Sequence, residues 1–179
     1  MLQRKLGITF IYVTHDQDEA LSMSDRIVVL RNGKIEQIDS PNDIYDKPNS
    51  LYVAEFIGDT NIIGSKVESI DYDKRLVYLD GGLVANINGN YNVGDNVDIV
   101  LRPENIKISN TLKKHNSITG DVKELIYDGS STKLIFNIDK KMIKVVVFGN
   151  DKRYEVGQEL NLYWDIEDMI VFGRDKNEK

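Results

Sequence analysis

The stretch ITFIYVTHDQDEALSMSDRIVVLRNGKIEQI, residues 8–38, decides how the N-terminal part of the chain is read. Ile8–Thr14 is an apolar, β-branched run, the kind found in strands buried on both faces of a parallel sheet. It leads into the corner Thr14-His15-Asp16. Asp16 or Thr14 can cap the helix that follows. Asp18 and Glu19 suit its first turn, where carboxylates meet the positive end of the helix dipole. Ala20, Leu21 and Ser24 give that helix a modest inward face. Ile27–Leu30 is a second apolar strand. Asn32-Gly33 separates it from the extended run Lys34–Ile38 and is a strong hairpin signal, because a type I′ turn needs two residues at positive φ. His15 is the chain's strongest catalytic candidate. It falls at the carboxyl end of an expected parallel strand, where open α/β sheets bind ligands. An imidazole there can bond a phosphate oxygen and an attacking water and hold them in line. For an isolated Thr-His-Asp tripeptide the plainer reading is a histidine bonded to backbone at a helix start.

Working outward, Ser40-Pro41 opens a helix through Asp43–Tyr45, since proline is tolerated at the first helical position. Pro48 ends it. Leu51–Ile57 reads as a further short helix with Leu51, Ala54 and Phe56 or Ile57 inward, stopped by Gly58. Beyond Asn61 the pattern changes to short alternating strands with turn signals at Asp80-Gly81-Gly82, Gly89-Asn90, Asp128-Gly129-Ser130 and Asn150-Asp151. The domain boundary is expected at Gly58–Ile62. The β part repeats itself: YNVGDNVDIVLRPENIKI from Tyr91 aligns with YEVGQELNLYWDIEDMIV from Tyr154, 63 residues on. Val97, Ile99 and Leu101 match Leu160, Leu162 and Trp164; Ile106 and Ile108 match Met169 and Val171. The apolar matches fall at every second position, so the repeat preserves one buried strand face. Ile62 and Gly64 match Ile118 and Gly120 more weakly. Two copies are too few for a solenoid. A pair of small five-stranded barrel-like units that pack or intertwine fits better.

The chain has 179 residues, 41% of them hydrophobic and 29% charged, the balance of a globular protein. Its longest apolar runs are strand-sized, well short of the roughly 20 residues of a membrane helix. No signal peptide is visible, and with no cysteine there is no disulfide framework or thiolate zinc site. The net charge of −6 argues against a nucleic-acid partner, which calls for a basic face. Arg102, Glu104 and Asp165 suit structural ion pairing at strand ends better than anion binding. Trp164 shares a repeat position with Leu101 and reads as core. Tyr127-Asp128-Gly129 reads as a turn, His115 as a solvated loop residue. No His/Asp/Glu cluster has metal spacing.

ITFIYVTHDQDEALSMSDRIVVLRNGKIEQ resembles the switch-histidine loop and closing strands of ATP-binding cassette importers. SPNDIYDKPNSLYVAEFIGDTN resembles the segment joining that domain to its accessory domain, and IVLRPENIKI the accessory transport-associated OB fold. FIGDTN followed by LRPE is most similar to spermidine/putrescine importer ATPase subunits; sugar and iron importer subunits share the architecture. The resemblance implies a mainly β chain. Residues 1–60 would be an α/β remnant of the ATP-binding cassette domain, residues 61–173 an OB-like regulatory and dimerisation domain, and residues 174–179 a frayed tail. It implies that His15 is the switch histidine in the intact protein, which would use ATP and Mg2+. The partners it implies are a second copy of the same subunit and transmembrane permease subunits, at the cytoplasmic face of the membrane. The phosphate loop, the glutamine loop, the LSGGQ signature and the acidic pair of the magnesium-binding strand are not in this sequence. Without them His15 cannot run phosphoryl transfer. The expectation is a C-terminal fragment, truncated, with no cofactor or metal and no activity of its own. Its unpartnered strand Ile8–Val13 should be strained, poorly ordered or repaired by dimerisation. The alternative is a stand-alone ligand-binding or dimerisation module.

Overall fold

The computed structural model describes residues 7–109, 116–138, 141–149 and 154–174. The chain divides between Gly58 and Asp59 into two compact units.

The first unit contains helix α1 (Gln17–Met23), the hairpin β1 (Ile27–Arg31) and β2 (Lys34–Asp39), and helices α2 (Pro41–Asp46) and α3 (Leu51–Phe56). Each helix starts on an oxygen-bearing side chain. Asp16 accepts from the backbone N–H of Glu19, Ser40 from that of Asp43, and Ser50 from that of Val53. These bonds satisfy N–H groups that have no intrahelical acceptor. The β1–β2 turn uses Asn32 at φ 52° and Gly33 at φ 75°, the left-handed pair a type I′ turn demands. A small core joins Ile27 and Val29 of β1 to Ile44, Val53 and Ile57. The buried Gln37 ties the hairpin to the α2–α3 connection: its Nε2 donates to Lys47 O at 3.1 Å, and its Oε1 accepts from Asn49 N at 2.8 Å. Within α3, Val53 and Ala54 turn inward while Phe56 is exposed.

Ile8–Thr14 is a correction to the sequence reading. It forms no strand: the backbone is irregular and the side chains face outward, with Ile11 90% and Val13 91% exposed. A strand exists only as a member of a ladder. Among the described residues no strand pairs with this segment, so its β propensity goes unused.

The second unit is all β. Strands β3 (Asn61–Asp71), β4 (Leu76–Leu79), β5 (Leu83–Asn86) and β6 (Asn96–Leu101) make up the first repeat, closed by β7 (Lys107–Ser109). The second repeat is β8 (Ser117–Tyr127), β9 (Ser131–Ile138), β10 (Lys141–Phe148) and β11 (Glu159–Tyr163), closed by β12 (Met169–Gly173). Short three-ten turns, Pro103–Asn105 and Ile166–Asp168, sit at matching places before the closing strands. The two five-stranded sheets have the orders β12-β6-β3-β4-β5 and β10-β9-β8-β11-β7. Each repeat has therefore given its last strand to the other sheet. β7 pairs with β11 through Ile108↔Leu162, and β12 pairs with β6 through Val171↔Ile99.

Matching positions make matching bonds in the two repeats. Val67 O accepts from Gly94 N and Val122 O from Gly157 N, both at 2.8 Å, next to equivalent register shifts in β3 and β8. Both sheets feed one core, in which Val97, Ile99 and Leu101 meet Leu134, Phe136 and Leu162. Trp164, read as core, is buried there.

Two buried asparagines fasten the sheets crosswise. Asn61 at the head of β3 accepts from Lys144 N at 2.7 Å and donates to Lys144 O at 2.8 Å, on the edge strand β10 of the other sheet. Asn116, just before β8, does the same for Val84 on edge strand β5, at 2.8 and 2.9 Å. Arg174, which the sequence assigned to a frayed tail, is held instead. Its Nε donates to Asp98 Oδ2 at 2.7 Å, a second ion-pair contact reaches Oδ1, and its backbone N–H bonds Asn96 O. Residues 175–179 and His115 lie outside the described residues.

Candidate functional site

His15 is exposed on a bend directly before the α1 cap. The corner around it is built by its neighbours. Asp16 N–H donates to Thr14 Oγ1 at 2.9 Å, and Asp16 Oδ1 accepts from Glu19 N at 3.1 Å. The Thr14 hydroxyl and the Tyr12 phenol both donate to Glu19 Oε2, at 3.2 and 3.0 Å. That bond to the carboxylate is the main cause pushing the Tyr12 phenol above its ordinary value. Gln17 Oε1 accepts from Gly58 N at 2.7 Å, fixing α1 to the end of α3. Thr14, Asp16 and Glu19 thus hold the backbone on both sides of the imidazole, which is left turned to solvent. The carboxyl end of a parallel strand, where the sequence placed His15, is not formed among the described residues.

In the β unit, the charged residues singled out in the sequence serve structure. Arg102 is buried and donates to Asp59 O at 3.3 Å; Asp165 pairs with Lys107 at 2.5 Å across β11 and β7. Asp59 of the GDTN turn receives Lys133 at 2.7 Å and Lys144 at 2.5 Å. Burial pushes its carboxyl up, and the two ammonium groups more than offset this, so its pKa lies below the usual carboxylate range. Tyr127 is exposed and its hydroxyl donates to Gly129 O, closing the Asp128-Gly129 turn.

One constellation escaped the sequence reading. Ser65, Asp80 and Lys141 meet at the mouth of a cleft of about 250 Å³ walled by Ile63, Leu83, Ile118, Ile138, Ile143 and Trp164. Asp80 had been legible only as part of a Gly-rich turn, and no local spacing links it to Lys141. Among the described residues no group of His, Asp and Glu has metal-binding geometry, and no helix is long and apolar enough to cross a membrane.

Residues 99–172, from the second half of β6 into β12, match the TOBE domain family. The exchange of closing strands lies largely inside the matched span. Over 89% of its length the chain is 42% identical to the spermidine/putrescine import ATP-binding protein of Photobacterium profundum, of which it covers 44%. Over 99% it is 38% identical to the protein of that name from Aliivibrio fischeri and 40% to that of Vibrio parahaemolyticus, covering 50% and 49% of them. The chain spans about half the length of the curated relatives it matches. Among solved structures, the cytoplasmic molybdate-binding protein ModG superposes with a TM-score of 0.52 at 16% identity, over 62% of this chain and 94% of its own. That likeness gives the fold: the second unit is an OB-like β unit with an internal repeat.

Proposed function

We propose that this chain serves the ATP-hydrolysing subunit of an importer for spermidine and putrescine, and that His15 is its switch residue. The reading rests on one observation: the chain aligns almost end to end with spermidine/putrescine import ATP-binding proteins. In that setting two copies of the subunit would enclose ATP and Mg2+. His15, held by the Thr14–Asp16–Glu19 bonds at the start of α1, would bond the γ-phosphate and position the attacking water. The cassette core would supply the phosphate loop and the acidic pair. The TOBE domain would hold the dimer together, and the permease subunits would receive the work of hydrolysis at the cytoplasmic face of the membrane. This stretch of chain by itself would neither bind nor hydrolyse nucleotide.

Two experiments test this. Calorimetry of the 179-residue chain with millimolar Mg-ATP should give no binding heat; saturable binding would refute the inactive-fragment reading. Grafting the chain onto the N-terminal half of the Photobacterium relative should restore uptake of labelled spermidine in cells lacking their own importer. His15→Ala in the graft should abolish hydrolysis and uptake while ATP binding remains. Hydrolysis that survives the substitution would remove His15 from the mechanism. Uptake of a sugar or of iron in place of spermidine would reassign the substrate.

The likeness to ModG supports a second reading, a ligand-binding module like that molybdate-binding protein. The carboxylate of Asp80 at the cleft argues against a dianion there.

A further inference from the structure

We propose that the cleft between the two β repeats binds a free α-amino acid with an apolar side chain. It lies wholly within the second unit and does not depend on the transport reading.

Ile63, Leu83, Ile118, Ile143 and Trp164 come from both repeats and enclose about 250 Å³. Cavities for drug-sized ligands run from roughly 300 to 1,000 Å³, so this one suits a smaller guest. Its lining is apolar, so the body of that guest is apolar too.

The mouth carries opposite charges. Asp80 Oδ1 accepts from the Ser65 hydroxyl and, at 2.9 Å, from Lys66 N–H. These bonds fix the carboxylate and hold it in its charged form, with Lys141 nearby adding to the effect. Among the described residues its second oxygen takes no hydrogen bond. Lys141 Nζ donates to Gly64 O at 3.3 Å, which leaves two of its three N–H donors available. Carboxylate and ammonium therefore face one cleft and are each anchored by other groups rather than closed on one another.

A guest with a single charge would satisfy one of them and desolvate the other. An α-ammonium directed to Asp80 and an α-carboxylate directed to Lys141 satisfy both, with the side chain on the isoleucines and the indole. The Trp164 Nε1–H is buried without an acceptor among the described residues. The indole ring itself lines the cleft.

Trp164 is the only tryptophan in the chain, so its fluorescence reports on the cleft directly. The test is a fluorescence titration of the full chain with L-leucine and L-methionine. It is run beside isoamylamine and 4-methylpentanoate, which keep the apolar body and one charge each, and beside putrescine and molybdate. The expected result is a saturable change with at least one amino acid, and binding about tenfold weaker or more for every other compound. Asp80→Asn, which keeps an oxygen for Ser65 and Lys66, and Lys141→Met should each weaken amino-acid binding by a similar factor. The comparison of ligands on the unaltered chain stands even where a variant fails to fold. No saturable response to either amino acid at millimolar concentration would overturn the proposal. So would an amine, a carboxylate, putrescine or molybdate binding as well as the amino acids do.

Discussion

The carboxamides of Asn61 and Asn116 each stand in for a missing strand. An edge strand presents unpaired N–H and C=O groups, and each asparagine satisfies one such pair with its own amide. Removing one leaves a backbone donor and acceptor unpaired, which costs about 1–3 kcal/mol when the site is buried. Val84 is buried and Lys144 is only partly so. Asn116→Ala should therefore destabilise more than Asn61→Ala in urea unfolding followed by Trp164 fluorescence; the reverse order would show that the clamps are not alike. Acid stability also belongs to single residues. Asp59 is held low by Lys133 and Lys144, Asp80 by Ser65, and Asp128 by the hydroxyl and backbone of Ser131. A carboxyl whose folded pKa is depressed stabilises the fold above its unfolded pKa, and that contribution is lost as pH falls through the folded value. The unfolded value is about 3.9 for aspartate, so the unfolding midpoint should be insensitive to these groups from pH 7 to pH 5 and should fall below about pH 4. Asp59→Asn should make that decline shallower; a decline beginning near neutrality would implicate other groups.

At the scale of elements, patterning and turn chemistry were legible and partnering was not. The Asn32-Gly33 hairpin, the helix opening at Ser40-Pro41, a cap before Gln17 (Asp16, of the two candidates Asp16 and Thr14), and the alternation of Val97, Ile99 and Leu101 follow from local residue chemistry, and the structure has them all. Ile8–Val13 has the apolar β-branched composition of a strand and was expected to lack partners; with no strand paired to it among the described residues, the segment stays irregular. Its amides should exchange with solvent without protection, while those of β3, β6, β8 and β11 are protected. The paired glycines Gly64 and Gly120 look equivalent in sequence, yet their surroundings differ. A Cβ at Gly120 would lie 2.5 Å from Ile138 Cγ1, a branched side chain packed against the core, whereas at Gly64 it would meet the flexible end of Arg174 at 2.4 Å. Gly120→Ala should therefore cost about 1–3 kcal/mol, the usual penalty for overpacking. Gly64→Ala should displace Arg174 from Asp98 at less cost, read as urea midpoints of the two variants side by side.

For the molecule as a whole, the exchange of closing strands sets how the second unit holds together. The sequence repeat could not reveal it. β7 and β12 occupy equivalent places, so pairing within a repeat and pairing across repeats leave the same apolar pattern, and only the sheet order separates them. The cleft residues Asp80 and Lys141 were hidden for the same reason, since they are brought together by packing one repeat against the other. Because β6 needs β12 and β11 needs β7, neither repeat can complete its sheet alone. The core is also shared, so a separated repeat would expose Leu101 and Ile99 or Leu134 and Phe136 to water. Cutting the chain within residues 110–115, between the repeats, should therefore leave a complex that stays together on gel filtration and keeps its β circular dichroism. Each half produced alone should lack that signal and regain it on mixing. Two halves that fold separately would mean that each closing strand can return to its own sheet, and the crosswise bonds of Asn61 and Asn116 would then be incidental to assembly.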